Sequence, residues 1–205
     1  MLLSGITVQF ASPGYTASAP LYSVCNLGTG QEYVVVQTPA DLPLAATTIT
    51  VQAGGSPVGQ STAPAAPAGP GIFTTAMSDG VKRAVLRRPD GTYVSLESPA
   101  QAGERLQAFV TGLGRPVTAS GIALNTNQSG IDGDDAPPPD PVTITFAGEV
   151  LQPVSAVYAT DTIGVYVLTF DVPADAPSGS DAAFIVTTTL PDQSILSDAT
   201  TLPVQ

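Results

Sequence analysis

The chain of 205 residues has no histidine, no tryptophan, one cysteine and one lysine, and only 11% of its residues are charged. Without histidine, the Ser-His-Asp and Cys-His nucleophile systems are excluded, together with the commonest metal ligand. Cys25 has no partner for an intrachain disulfide. No apolar run approaches the roughly 18 residues of a membrane-spanning helix. Paired carboxylates of the glycosidase kind remain available. The acids, however, fall in loop-like segments, and tryptophan, common in sugar-binding clefts, is missing. Gly112-Leu113-Gly114 has neither the spacing nor the following helix of a phosphate-binding loop. Nothing here points to an enzyme.

What is present is strand-like. Apolar residues make up 43% of the chain and alternate with polar ones, as in Ile6-Thr7-Val8-Gln9-Phe10 and Val142-Thr143-Ile144-Thr145-Phe146. Twenty glycines and twenty prolines interrupt any helix. The expectation is an all-β fold. Strands are expected near 5–11, 20–25, 31–38, 46–53, 57–62, 71–76, 81–88, 92–97, 104–112, 120–126, 142–147, 150–159, 164–172, 182–189 and 194–203, with Asp90-Gly91 as a hairpin turn.

The net charge of −11 disfavours nucleic acid and anionic membranes as partners. All six basic residues lie between Lys82 and Arg115, whereas residues 116–205 hold eleven acids and no base. Such asymmetry either steers copies of the chain head to tail or simply solvates strand faces. The Thr-, Ala-, Gly- and Pro-rich composition reads as exported, at an extracellular or cell-surface location. Met1-Leu2-Leu3 lacks the features of a signal peptide, so the expected form is a mature or trimmed one.

Residues 61–71 form a Pro/Ala/Gly linker, and the segments on its two sides are related. Ile6–Ala11 reappears as Val142–Ala147 and Leu21-Tyr22 as Val157-Tyr158, both at an offset of 136. Tyr33–Val36 matches Tyr166–Thr169 at 133, and Pro39–Pro43 matches Pro173–Pro177 at 134. Four blocks in one order indicate an internal duplication. Residues 6–62 match only the second half of the later unit. The expected organisation is a partial unit at 1–62, a linker at 63–70 and a complete unit at 71–205. Half a sandwich exposes an apolar face and an unpaired strand edge.

From residue 69 a family pattern emerges: Gly69-Pro70-Gly71-Ile72-Phe73, Asp90-Gly91-Thr92, Ser98-Pro99-Ala100 with Gly103-Glu104, Thr111-Gly112-Leu113-Gly114, Val142–Gly148, Gly164-Val165-Tyr166 and Val172-Pro173. This resembles the Ig-like C-terminal domain found in many copies in Acidobacteria, the Solibacter-type uncharacterised C-terminal domain. It departs from the pattern at Ser98, where the family has Asn, and at Val165–Phe170, which replaces L-Y-Q-V-N-V. The resemblance implies tandem immunoglobulin-like β-sandwich units, the first incomplete, and a secreted or surface location. It carries over no catalytic residue.

Candidate sites are few. Asp132, Asp134, Asp135 and Asp140 offer hard oxygens for calcium, without EF-hand spacing; the alternative is a solvated acidic loop. No other cofactor is expected. Asn127-Gln128-Ser129 is a glycosylation sequon. Tyr158, Tyr166 and Phe170 read as core residues rather than a ligand platform. The expected function is that of a structural subunit of an extracellular homopolymer or filament, assembled head to tail by strand complementation. The terminal segments would donate strands, through Ile6, Val8 and Phe10 or Ile195 and Leu202. The first unit would accept them, through Tyr33, Val35, Ile49 and Val51. The alternative is an Ig-like binding or adhesion module of a larger surface protein, with glycans as possible ligands.

Overall fold

The computed structural model describes residues 5–26, 28 and 32–205. These residues contain no helix, and every strand ladder is antiparallel. The chain divides into two compact units. One runs to Pro67 and takes in Leu124–Gln128; the other comprises Ala68–Ala123 and Ser129–Gln205.

The described residues of the first unit form six strands: β1 (Ile6–Ser12), β2 (Tyr15–Ser18), β3 (Leu21–Asn26), β4 (Glu32–Val36), β5 (Ala46–Ala53) and β6 (Ser56–Pro64). They form a four-stranded sheet in the order β2-β1-β5-β6 and a separate β3-β4 hairpin. Alternation decides what is buried. Val8 and Phe10 point inward with Ala19 and Leu21, and Ile6, Val34, Val36, Leu42, Ile49 and Val51 pack against them. Pro13-Gly14 closes the first hairpin, with Gly14 at φ 75°. β2 is missing from the sequence-based expectation because Tyr15-Thr16-Ala17-Ser18 has too few apolar residues to show alternation.

The second unit holds β7 (Gly71–Ile72), β8 (Thr74–Ala76), β9 (Lys82–Ala84), β10 (Leu86–Arg87), β11 (Arg105–Thr111), β12 (Val142–Phe146), β13 (Glu149–Leu151), β14 (Ser155–Tyr158), β15 (Tyr166–Asp171), β16 (Gly179–Thr189), β17 (Ser194–Leu196) and β18 (Thr200–Val204). One sheet runs β10-β11-β15-β14, with β7 also on β11. The other runs β13-β12-β16-β17, with β18 also on β16. Phe170 of β15 meets Phe184 of β16 at 5.4 Å between ring centroids, which joins the two layers of a β-sandwich. Leu106, Ala108, Val110, Ile144, Phe146, Leu168, Phe170, Phe184 and Val186 are sealed from solvent.

Two expected strands are not strands. Residues 92–97 make a single bridge, Tyr93 to Arg87, and residues 120–126 make a single bridge, Ala123 to Val117. The Asp90-Gly91 turn does form, with Asp90 Oδ1 accepting from the N–H and hydroxyl of Thr92. The expected linker also shrinks. Ala63 and Pro64 pair with Thr47 and Ala46, while Gly69 already donates to Gly112 O at 2.7 Å. Pro57 and Pro64 sit on an edge strand, where a missing N–H is tolerated.

The pairing pattern repeats between the units. β1-β2, β1-β5, β3-β4 and β5-β6 recur as β12-β13, β12-β16, β14-β15 and β16 with β17 and β18. Val8 lies opposite Val51 and Phe10 opposite Ile49; Ile144 lies opposite Val186 and Phe146 opposite Phe184. Two of the four sequence matches are nevertheless out of register. Tyr33 is 48% exposed whereas Tyr166 is 2% exposed, and Tyr22 is exposed whereas Tyr158 is buried. A slip of one residue exchanges the two faces of a strand. The core-facing Val34 and Val36 correspond to Leu168 and Phe170, the same offset of 134 as Pro39 and Pro173.

Candidate functional site: the open edge of the first unit

The β3-β4 hairpin has different neighbours from its counterpart in the second unit. β15 is flanked by β14 on one side and β11 on the other, with Leu106 opposite Phe170, Ala108 opposite Leu168 and Val110 opposite Tyr166. β4 pairs with β3 alone among the described residues. Among the described residues no strand corresponds to β11.

The hairpin itself is well made. Asn26 Nδ2 donates to Glu32 Oε1 at 2.7 Å, and Asn26 Oδ1 accepts from Gly28 N at 2.7 Å. Gln37 N donates to Pro20 O at 3.1 Å on the β3 side. Peptide groups alternate along a strand, so the N–H and C=O of Val34 and Val36 point to the open side. The side chains alternate too. Val34 and Val36 face the core, while Tyr33 and Val35, 48% and 44% exposed, face out. Cys25, directly opposite Tyr33, pushes the phenol above its ordinary value of 10.0 through a side-chain hydrogen bond.

An open edge is usually blunted by lysine, proline or a bulge. β6, the edge of the larger sheet, carries Pro57, Gly59 and Pro64 and is exposed throughout. β4 reads Glu-Tyr-Val-Val-Val and carries no such guard. Its far end is tied within the same unit. Gln37 Oε1 accepts from Asn127 N at 2.7 Å, and Ala40 N donates to Thr126 Oγ1 at 2.8 Å. Tyr15, bonded to Asp41 at 2.7 Å, has its pKa pushed up to about 12, chiefly by burial and further by that carboxylate.

The other expected assembly residues are occupied. Ile6, Val8 and Phe10 lie on β1, which is paired on both edges, by β2 and β5. Ile49 and Val51 lie on β5, held between β1 and β6. Ile195 pairs with Thr188, and the fully buried Leu202 pairs with Ala182. Tyr33 and Val35 lie on β4, which has one partner strand, and Ile195 lies on the three-residue edge strand β17. The expected donors are therefore already structural strands, and the expected acceptor contracts to β4. Val34 and Val36, on the same strand, turn their side chains to the core.

The acidic loop does not gather a metal site. No group of three potential ligands comes together among the described residues. Asp134 is spent on the neighbouring turn: its carboxylate accepts from the Ser120 hydroxyl and, at 3.0 Å, from Ser120 N. Those bonds, the hydroxyl first, hold it below its ordinary value. Asp132, Asp135 and Asp140 do not converge with Asp134 into a group of three carboxylates. Asn127 is exposed, at φ 67°, a left-handed conformation that Asn tolerates.

The basic stretch is likewise used internally. Arg83 is buried and bonds Asp79 through two nitrogens at 2.9 Å, as well as Asp181 and Ser180 O. Arg88 meets Glu104 at 2.6 Å and reaches the carbonyls of Tyr93, Ser98 and Pro99. Arg105 pairs with Asp171 at 2.7 Å, and Arg87 lies over Phe109. These arginines hold the second unit together rather than forming a free basic patch. The family-like motifs have the same character. A Cβ on Gly112, at φ 73°, would lie 1.9 Å from Gly69 O. Tyr166, which donates to Gly114 O at 3.1 Å, packs edge-on against Tyr158. Each is architectural.

Comparison with family models, with curated proteins and with solved structures gives no match to this chain.

Proposed function

We propose that the chain is a non-enzymatic structural subunit of an extracellular bacterial homopolymer, whose copies join by β-strand complementation at the edge of β4. One observation carries this reading. β15 has a strand on each side, whereas the equivalent β4 has a strand on one side only and no guard on the other. Main-chain donors and acceptors on such an edge recruit a strand from another chain. The resemblance to an Ig-like family of secreted proteins supports the extracellular setting, and the lack of histidine supports a role without catalysis. Joined head to tail, such a contact builds an open fibre.

Negative-stain microscopy of the purified chain over a wide concentration range tests the reading. Fibres are expected from the native chain and none from Val35→Lys, which places a charge on the exposed face of the edge without touching the core. A native chain that stays monomeric throughout overturns the polymer. A monomer that instead captures a strand of another surface protein would make the chain a binding module.

A further inference from the structure

The proposed assembly leaves open what lies against β4, and two observations narrow it. The strands nominated as donors are already paired in their own units. Nor can the β11 region be lent. Residues 68–123 exchanged between copies would complete one unit by opening another, and the number of bare edges would not change.

We infer that the occupant is the same edge of a second copy, so that β4 pairs with β4 of that copy about a two-fold axis. The product is a four-stranded sheet in the order β3-β4-β4-β3. The second unit already contains that arrangement as β14-β15-β11-β10. In it, the second β4 takes the place of β11 and the second β3 the place of β10. The inference rests on the self-assembly reading and replaces a donated strand with a shared edge. At this sheet the contact is isologous rather than head to tail, so a fibre then needs a further contact to extend the pairs.

The register follows from which side chains must stay inside. Both copies keep their cores on one side of the joint sheet only if residues of like parity meet. Centred on Val34, the pairing would set the core-facing Val36 against Glu32, an acid against an apolar face. Centred on Val35, it sets Val34 against Val36 twice on the core side, Val35 against Val35 outside, and Tyr33 against Gln37. Val34 and Val36 are the residues whose main-chain groups point outward, so the facing pairs exchange both hydrogen bonds. Charge agrees as well. Residues 33–37 carry none in a chain of net charge −11, and Glu32 meets Thr38 rather than another acid. Exposed Tyr33 and Val35 then join across the axis into one continuous apolar strip.

Directly facing residues of a non-hydrogen-bonded pair have Cα atoms about 4.5 Å apart, within disulfide range. The test is mild oxidation of the full chain carrying Cys25→Ser and Val35→Cys, beside a Val58→Cys control on β6. A discrete covalent dimer from V35C and none from V58C is the expected result. Sedimentation of V35K should show loss of the pair, with circular dichroism reporting whether the fold is kept. Fibres that form without any V35C cross-link would overturn the two-fold pairing and leave the polymer standing. Cross-linked dimers that never extend would uphold the pairing and remove the polymer. V35C that neither cross-links nor associates sinks both.

Discussion

The two units answer one design question with different amounts of chain. In the second, Phe184 and Val186 are fully closed off beneath a sheet of five strands. In the first, Ile49 and Val51 occupy the matching rungs under a hairpin of two, and are only partly buried. The β1-β5 and β12-β16 ladders are equivalent rung for rung. The difference therefore lies in the cover. It teaches that one strand order can be kept under a narrower cover, with a less sealed core.

The largest expected effect tests how rigidly the second unit is closed. Gly112→Ala should cost about 3–5 kcal/mol, because it adds a collision with Gly69 O to an unfavourable φ. Gly14→Ala in the first unit, at φ 75° with open space around it, should cost about 1 kcal/mol. Urea unfolding of the two variants checks the contrast.

Next comes the cover itself. Val186→Ala should cost about 2–3 kcal/mol and Val51→Ala about 1 kcal/mol, since a half-buried side chain loses less apolar contact. Equal costs would break the comparison. A cost at Val51 that grows with protein concentration would sharpen it, by showing the face covered on association.

Acid should act on the second unit. Asp79 and Asp171 are held below their ordinary 3.8, first by hydrogen bonds from Arg83 and Arg105; Asp181 is held down first by Ser180. A lowered folded-state pKa contributes stability that is present above the unfolded value and lost as pH falls through the lowered one. The urea midpoint of the second unit should therefore drop between about pH 5 and pH 3. Asp79→Asn and Asp181→Asn together should flatten that slope. The effect is modest because the carboxylates are largely exposed.

The smallest effect is a gain. The Thr188 hydroxyl is buried with no hydrogen-bond partner. Thr188→Val keeps the shape and should add about 0.5–1 kcal/mol, read as a raised melting temperature.

Much of this was legible beforehand. The alternation of Ile6–Phe10 and Val142–Phe146 located two central strands, because a strand buried on one face writes its period into the sequence. The order of the matched blocks set the expectation of two related units, and the repeated strand pairing agrees with that relation. What could not be read was the face. Tyr33 aligns with Tyr166 by residue type, but burial depends on parity, and one residue of loop length reverses it. The Pro39–Pro173 offset already held the right answer. Arg83 misled in a similar way: composition counts it as surface charge, whereas Asp79 and Asp181 allow it to be buried. The acidic loop offered ligand types but no convergence, which only three dimensions decide.

The bulge in β3, where the register slips between Leu21 and Ser23, has a consequence for pathology rather than architecture. Once two β4 edges have met, the outer rims of the joint sheet are the two β3 strands, each kinked at Tyr22. A kinked rim is a poor template for the next strand, so the sheet ends at four and does not run on as a cross-β stack. Solutions of this protein should stay dark with amyloid-reporting dyes even while its copies associate.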